Sequence, residues 1–141
     1  MRIWSWCEDH DAVLAKLARE VSPRILRAPA RLDDVARQLD EYFAIRRKVF
    51  DVPLDLRLAR GFRRNVLAYL SQIPYGQTAT YTEAASCLGR PRTVRAVGGA
   101  CAANPLPIVM PCHRLVRADG SLAGYVGGLP AKRDLLRLEK H

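Results

Sequence analysis

The chain of 141 residues has the length of one ordinary domain, and with 49% hydrophobic residues it can build an independent core. No apolar run approaches the ~20 residues of a membrane span, and residues 1–9, with Glu8 and Asp9 close behind a short apolar stretch, do not have the pattern of a secretory leader, so a cytoplasmic, nucleoid-associated protein with no membrane partner is expected. The net charge of +9 is one-sided: residues 1–55 hold ten Arg or Lys against ten Asp or Glu, and residues 56–141 hold thirteen against four, a distribution that attracts polyanions such as nucleic acid.

The four cysteines, Cys7, Cys87, Cys101 and Cys112, show no C-x-x-C spacing and are read as free thiols. Cys7 and His10 could form half of a zinc site, but no second pair lies nearby in sequence, so neither metal nor cofactor is expected.

Taken in chain order, Asp9 can cap a first helix with Val13, Leu14, Leu17 and Val21 on one face, ending near Ser22-Pro23. A second helix is predicted over residues 32–45 with Val35, Leu39, Tyr42 and Phe43 inward. Residues 49–56 alternate apolar positions around a proline, which reads as an extended linker or an edge strand and marks a domain boundary. Phe62, Val66, Leu67 and Leu70 predict a third helix, stopped at Ile73-Pro74-Tyr75-Gly76. Thr80 or Thr82 can then cap a short helix through Ala85 and Leu88. After the turn at Gly89-Arg90-Pro91 a second short helix runs over 93–103. The pair fits a helix-turn-helix, which would set its second helix against DNA, and equally a plain helical hairpin. Two short apolar runs, Ile108-Val109-Met110 and Leu115-Val116, flank Pro111-Cys112-His113-Arg114, and Asp119-Gly120 makes a turn. Pro130 opens a last helix in which Leu135, Leu136 and Leu138 pack and Glu139 falls near the end.

A cysteine beside a histidine and an arginine is a setting that lowers a thiol pKa and creates a nucleophile, so Cys112 is the first candidate. In an extended segment adjacent side chains point to opposite faces, so His113 reaches the Cys112 sulfur only through a sharp turn, which Pro111 allows, or through a bridging water. Glu139, isolated in an acid-poor region, is the candidate to orient His113 from its other nitrogen. A Cys-His hydrolase and a helix-turn-helix regulator remain open on these residues alone.

Read in order, Ile73-Pro74-Tyr75-Gly76-Gln77-Thr78, Arg95-Ala96-Val97-Gly98-Gly99-Ala100, Asn104-Pro105, Ile108-Val109-Met110-Pro111-Cys112-His113-Arg114, Gly124-Tyr125 and Leu135-Leu136-Arg137-Leu138-Glu139 resemble the O6-alkylguanine-DNA alkyltransferase family over nearly half the chain. The resemblance implies an α+β fold: a winged-helix-like helix-turn-helix domain over 57–141 that binds DNA and transfers the alkyl group, preceded by a shortened, mainly helical remnant of an N-terminal α/β domain over 1–56. It implies a monomer acting on double-stranded DNA that contains O6-alkylguanine, less readily O4-alkylthymine, flipped out of the stack. The alkyl group passes to Cys112 once per molecule and no cofactor is involved. By the same resemblance His113 is the base acting through a water, Glu139 orients it, and Asn104 braces the active-site turn. Tyr81 assists the departing guanine and the rotation of the nucleotide. Arg95 fills the gap left in the base stack, and Arg114, Thr93, Ala96 and Gly98 face DNA beside it. Pro107, Met110, Tyr125, Val126 and Lys132 surround the alkyl pocket. The chain departs from the family in its short N-terminal portion, where only residues 3–6 could form a strand, in Arg63 and Leu67, where Gln and Trp are common, and in Val126, which is bulkier than the usual Ser or Gly and implies a tighter pocket.

Overall fold

A computed structural model describes residues 10–22, 24 and 29–141; the expected Asp9 cap, the strand over 3–6 and the Cys7–His10 pair lie outside the described residues. The first helix, α1 (His10–Glu20), half-buries Val13 and Leu17 but leaves Leu14 exposed. A 3-10 turn over Pro29–Leu32 leads into α2 (Asp33–Phe43). Here the inward face differs from expectation: Tyr42 is fully buried, whereas Phe43 is 49% exposed. Neighbours on a helix point about 100° apart, so only one of the two adjacent rings can face the interior. Phe43 instead lies edge-on against Tyr42, with 5.3 Å between ring centroids.

Gln38, one turn before Tyr42, is also buried, and it explains why no edge strand forms at 49–56. Its amide accepts from the Asp51 backbone N–H at 2.8 Å and donates to the Asp51 carbonyl at 2.8 Å. One side chain thus does for the extended segment what a neighbouring strand would do, satisfying both backbone groups.

Helix α3 (Phe62–Leu70) buries Val66, Leu67 and Leu70 as its periodicity predicts and ends in the turn at Pro74–Gly76. Gly76 has φ of +78°, and a Cβ there would stand 2.8 Å from the Glu139 carbonyl oxygen, so only glycine fits between this turn and the chain terminus. The turn feeds β1 (Ala79–Thr80) and then α4 (Tyr81–Cys87), where Thr80 and Glu83 form a reciprocal capping box. After Gly89 the chain enters α5 (Val94–Ala102), which packs on α3 and α4 through Val97, Ala100 and Cys101.

From Asn104 the chain turns sharply on itself: Met110 N donates to the Leu106 carbonyl at 2.9 Å, and Ile108, a β-branched residue, is held at φ of +76°. A 3-10 turn over Cys112–Arg114 runs directly into β2 (Leu115–Val116), which pairs in parallel with β1, Ala79 opposite Leu115 and Thr80 opposite Val116. Helix α6 (Leu129–Leu138), with Pro130 in its first turn, closes the chain. Among the described residues the architecture is helix-rich with one small sheet. Its main core lies among α3, α4, α5 and the 104–115 segment, and a second cluster of Tyr42, Ile108 and Leu135 joins α2 to α6. Among the described residues, no helix is long and apolar enough to cross a membrane.

Candidate active site

Two local structures carry Cys112 and His113 into the interior. The loop before them is braced by Asn104, whose side chain donates to the Met110 carbonyl at 2.8 Å and to Cys112 Sγ at 3.2 Å while accepting from Leu106 N at 3.0 Å. The 3-10 turn then supplies the bend that adjacent residues need to face different partners. Cys112 is 2% exposed and His113 0%.

Behind the thiol, His113 Nε2 lies 2.8 Å from Glu139 Oε1. Glu139 is itself buried at the end of α6, where loss of solvent alone would raise its pKa, but the hydrogen bonds from His113 and Arg114 outweigh burial and lower it from 4.5 to about 2. A carboxylate can only accept, so Nε2 carries the hydrogen and Nδ1 keeps its lone pair. Burial lowers the His113 pKa, so the ring is neutral, and Nδ1, itself buried, has no protein partner among the described residues.

Cys112 forms part of the wall of a cavity of about 460 Å³ together with Tyr81, Gly98, Cys101, Arg117, Ala123, Tyr125 and Val126, a size suited to a small ligand. Burial raises the pKa of Tyr81 to about 12, which keeps it a phenol at neutral pH. Lys132, fully buried, donates from Nζ to the Leu115 carbonyl at 2.6 Å and to the Tyr81 hydroxyl at 3.4 Å, and its own pKa is lowered by burial. On the outer side, Arg95 and Ala96 are exposed on α5, and Cβ atoms added at Gly98 and Gly99 would meet nothing within 4 Å. This gives a smooth helix face with one cation. A larger groove of about 790 Å³, lined by Arg19, Arg57, Arg60 and Arg63 with Ala96 and Gly99, runs nearby but contains no nucleophile.

The structure therefore brings together Cys112, His113, Glu139, Asn104, Tyr81, Tyr125, Val126 and Lys132. Several expectations are corrected. Arg114, expected at a DNA surface, is buried: its Nε and Nη2 donate to the two Glu139 oxygens at 2.9 Å each, and its Nη1 donates to the Ile73 carbonyl at 2.6 Å. The guanidinium matches the carboxylate as a fork, which holds it inside. Pro107 and Met110 are buried in the loop behind Cys112 and do not line the cavity, and Lys132 supports Tyr81 from beneath it. Thr93 points its hydroxyl back to the Arg90 carbonyl at 2.7 Å.

The thiol pKa is also raised, not lowered. Burial is the larger effect, opposed by the Asn104 N–H and the Lys132 charge. The neighbouring Arg114 cation, from which a lower pKa was expected, is already committed to Glu139. Cys101 and Arg117 in the cavity wall were not anticipated, since neither stands in a motif, and Tyr42, whose hydroxyl donates to Glu139 at 2.7 Å, read in the sequence only as a packing residue.

Residues 61–141 match the family model described as 6-O-methylguanine DNA methyltransferase, DNA binding domain. The methylated-DNA–protein-cysteine methyltransferase of Methanosarcina barkeri is 44% identical over 108 residues, covering 77% of this chain and 68% of that protein. The crystal structure of Mycobacterium tuberculosis OGT in complex with DNA superposes with a TM-score of 0.72 at 46% identity, covering 77% of this chain and 66% of that one. The O6-methylguanine-DNA methyltransferase of Pyrococcus kodakaraensis KOD1 has a TM-score of 0.70 at 27% identity and covers 96% of this chain and 80% of its own. The chain spans about two-thirds of the length of the M. barkeri relative.

Proposed function

Since the chain belongs to the 6-O-methylguanine DNA methyltransferase family, we propose that it repairs DNA by direct reversal, moving the alkyl group of O6-alkylguanine, and less readily of O4-alkylthymine, onto Cys112. The observation that carries this reading is the arrangement at the cavity wall: a thiol facing a space of about 460 Å³, with a neutral imidazole oriented behind it by a buried carboxylate.

In the reaction, the Cys112 Sγ bonds to the alkyl carbon as the bond from that carbon to guanine O6 breaks. Burial keeps sulfur protonated at rest, so the thiol proton must leave as the base arrives, and the open Nδ1 of His113 receives it through one water. Glu139 stabilises the imidazolium that forms. The electron pair stays with the guanine, to which Tyr81 donates a hydrogen bond as it departs. The product is a thioether with no good leaving group for hydrolysis, so each molecule acts once.

The O6 atom lies within the duplex stack, and the nucleotide has to swing out at a cost of a few kcal/mol. Arg95 offsets this by filling the vacated space, while Ala96, Gly98 and Gly99 let α5 approach the DNA closely. We assign α4 and α5 to a winged-helix-like helix-turn-helix within a DNA-binding and alkyl-transfer domain over 57–141, and residues 1–56 to an N-terminal portion that precedes it. The protein acts as a monomer associated with the nucleoid.

The test is an intact-mass measurement after mixing the protein with a duplex that contains O6-methylguanine. One added methyl group, mapped to Cys112 and absent in Cys112→Ser, is expected. Binding without mass change would make the protein a damage-binding module, and repeated turnover would make it a hydrolase.

A further inference from the structure

The carboxylate that orients His113 is gripped from an element outside the family-matched region. Tyr42, on α2, lies 97 residues before Glu139 and ahead of the matched residues 61–141. Its side chain is fully buried, and its hydroxyl donates to Glu139 Oε1 at 2.7 Å. The same oxygen accepts from His113 Nε2 at 2.8 Å and from Arg114 Nη2 at 2.9 Å. Its companion Oε2 takes Arg114 Nε at 2.9 Å and the Gly76 N–H at 3.4 Å. The ring of Tyr42 is fixed against Phe50, at 5.4 Å, and edge-on to Tyr75, at 6.1 Å, and Tyr75 in turn lies beneath the Arg114 guanidinium. Packing on these rings leaves the hydroxyl aimed at the carboxylate.

We propose that Tyr42 is a positioning residue for the alkyl transfer, the contact through which the N-terminal helix α2 sets how strongly the Glu139–His113 pair attracts the thiol proton. The inference rests on the functional reading above. Each donor on Oε1 withdraws charge from the carboxylate and weakens its hold on a positive imidazolium. Tyr42 and His113 compete for one oxygen, so the tyrosine hydroxyl holds the basicity of His113 down while it fixes the carboxylate plane. Burial and the Glu139 hydrogen bond both raise the Tyr42 pKa, so the hydroxyl remains a donor.

Other charged or titratable groups face the same pair: Arg114 from the 3-10 turn, Tyr75 from the loop after α3, and Lys132, Tyr125 and Cys112 from around the cavity. None is altered by Tyr42→Phe, which keeps the ring and leaves Glu139 Oε1 with two donors, so no buried polar group is stranded. The measurement is the rate of Cys112 alkylation by iodoacetamide as a function of pH, read by intact mass, alongside methyl transfer from O6-methylguanine DNA. Removing the hydroxyl returns charge to Oε1 and stabilises the imidazolium, so the pH midpoint of thiol reactivity in Tyr42→Phe should fall by about one unit, the scale of one hydrogen bond to a charged group. Tyr42→Ala, which also removes the ring, should in addition lower the melting temperature.

A midpoint that stays in place or moves upward in Tyr42→Phe, whatever its melting temperature, overturns the proposal and leaves Tyr42 a packing residue. Failure of the unaltered protein to take a methyl group from DNA would instead overturn the functional reading, since the iodoacetamide profile does not depend on repair.

Discussion

Replacing Glu139 by Gln removes the charge on which three buried side chains converge. Its pKa falls from 4.5 to about 2 on folding, and with its side chain 1% exposed solvent screens little of the effect. The shift corresponds to about 3 kcal/mol of stability at roughly 1.4 kcal/mol per unit. A group whose folded pKa is depressed contributes fully above its unfolded pKa and loses that contribution as pH falls through the folded value. The stabilisation is therefore complete at neutrality and drains away between 4.5 and about 2. Breaking a buried ion pair by removing one partner costs about 3–5 kcal/mol, a separate estimate of the same size. Urea denaturation of the unaltered protein and Glu139→Gln should thus differ by about 3 kcal/mol at neutral pH, with the gap closing through the acid window. The double variant Arg114→Met, Glu139→Gln should recover part of the loss, because it strands no cation. A difference under about 1 kcal/mol, or one that stays constant through the window, would refute the reasoning.

Asn104→Ala strands the Leu106 N–H in the interior and takes one of two donors from the Met110 carbonyl, which keeps the Cys112 N–H, and should cost about 1–3 kcal/mol in chemical denaturation; it should also move the pH midpoint of Cys112 alkylation upward, since Asn104 pulls that pKa down. Arg95→Ala should slow methyl removal from duplex DNA about tenfold or more while leaving reaction with free O6-benzylguanine near its original rate, the loss expected for a flipping cost of a few kcal/mol; equal slowing of both would remove Arg95 from that role. Val126 lines the cavity, and Val126→Gly should raise the rate with benzyl relative to methyl adducts by about tenfold, the scale of a few methylene groups in a pocket; an unchanged ratio would place the size limit elsewhere. Methylated Cys112, with an extra carbon at a 2% exposed position, should melt several degrees below the unreacted protein, an overpacking cost of about 1–3 kcal/mol, and equal or higher melting after reaction would count against a strained product.

Local chemistry made much of the chain legible before any fold was known. The periods of α3 and α6, the Thr80 cap and the breaks at Gly76 and Gly89 depend on residues within a turn or two of one another, so their signals survive in one dimension. The motif around Cys112 belongs to the same class: its chemistry pointed to His113 and Glu139, the family resemblance added Asn104, and the structure displays their contacts. What the linear order could not express is competition among distant groups for one partner. Arg114 read, through the resemblance, as a cation facing DNA; folding brings Glu139 to it across 25 residues and buries both. Tyr42 read as packing because its partner stands 97 residues away, and the thiol pKa read low because burial, the term that raises it, belongs only to the closed tertiary structure. Identity and turn chemistry are properties of the string, whereas desolvation and shared hydrogen bonds come into being when the helices close over the site.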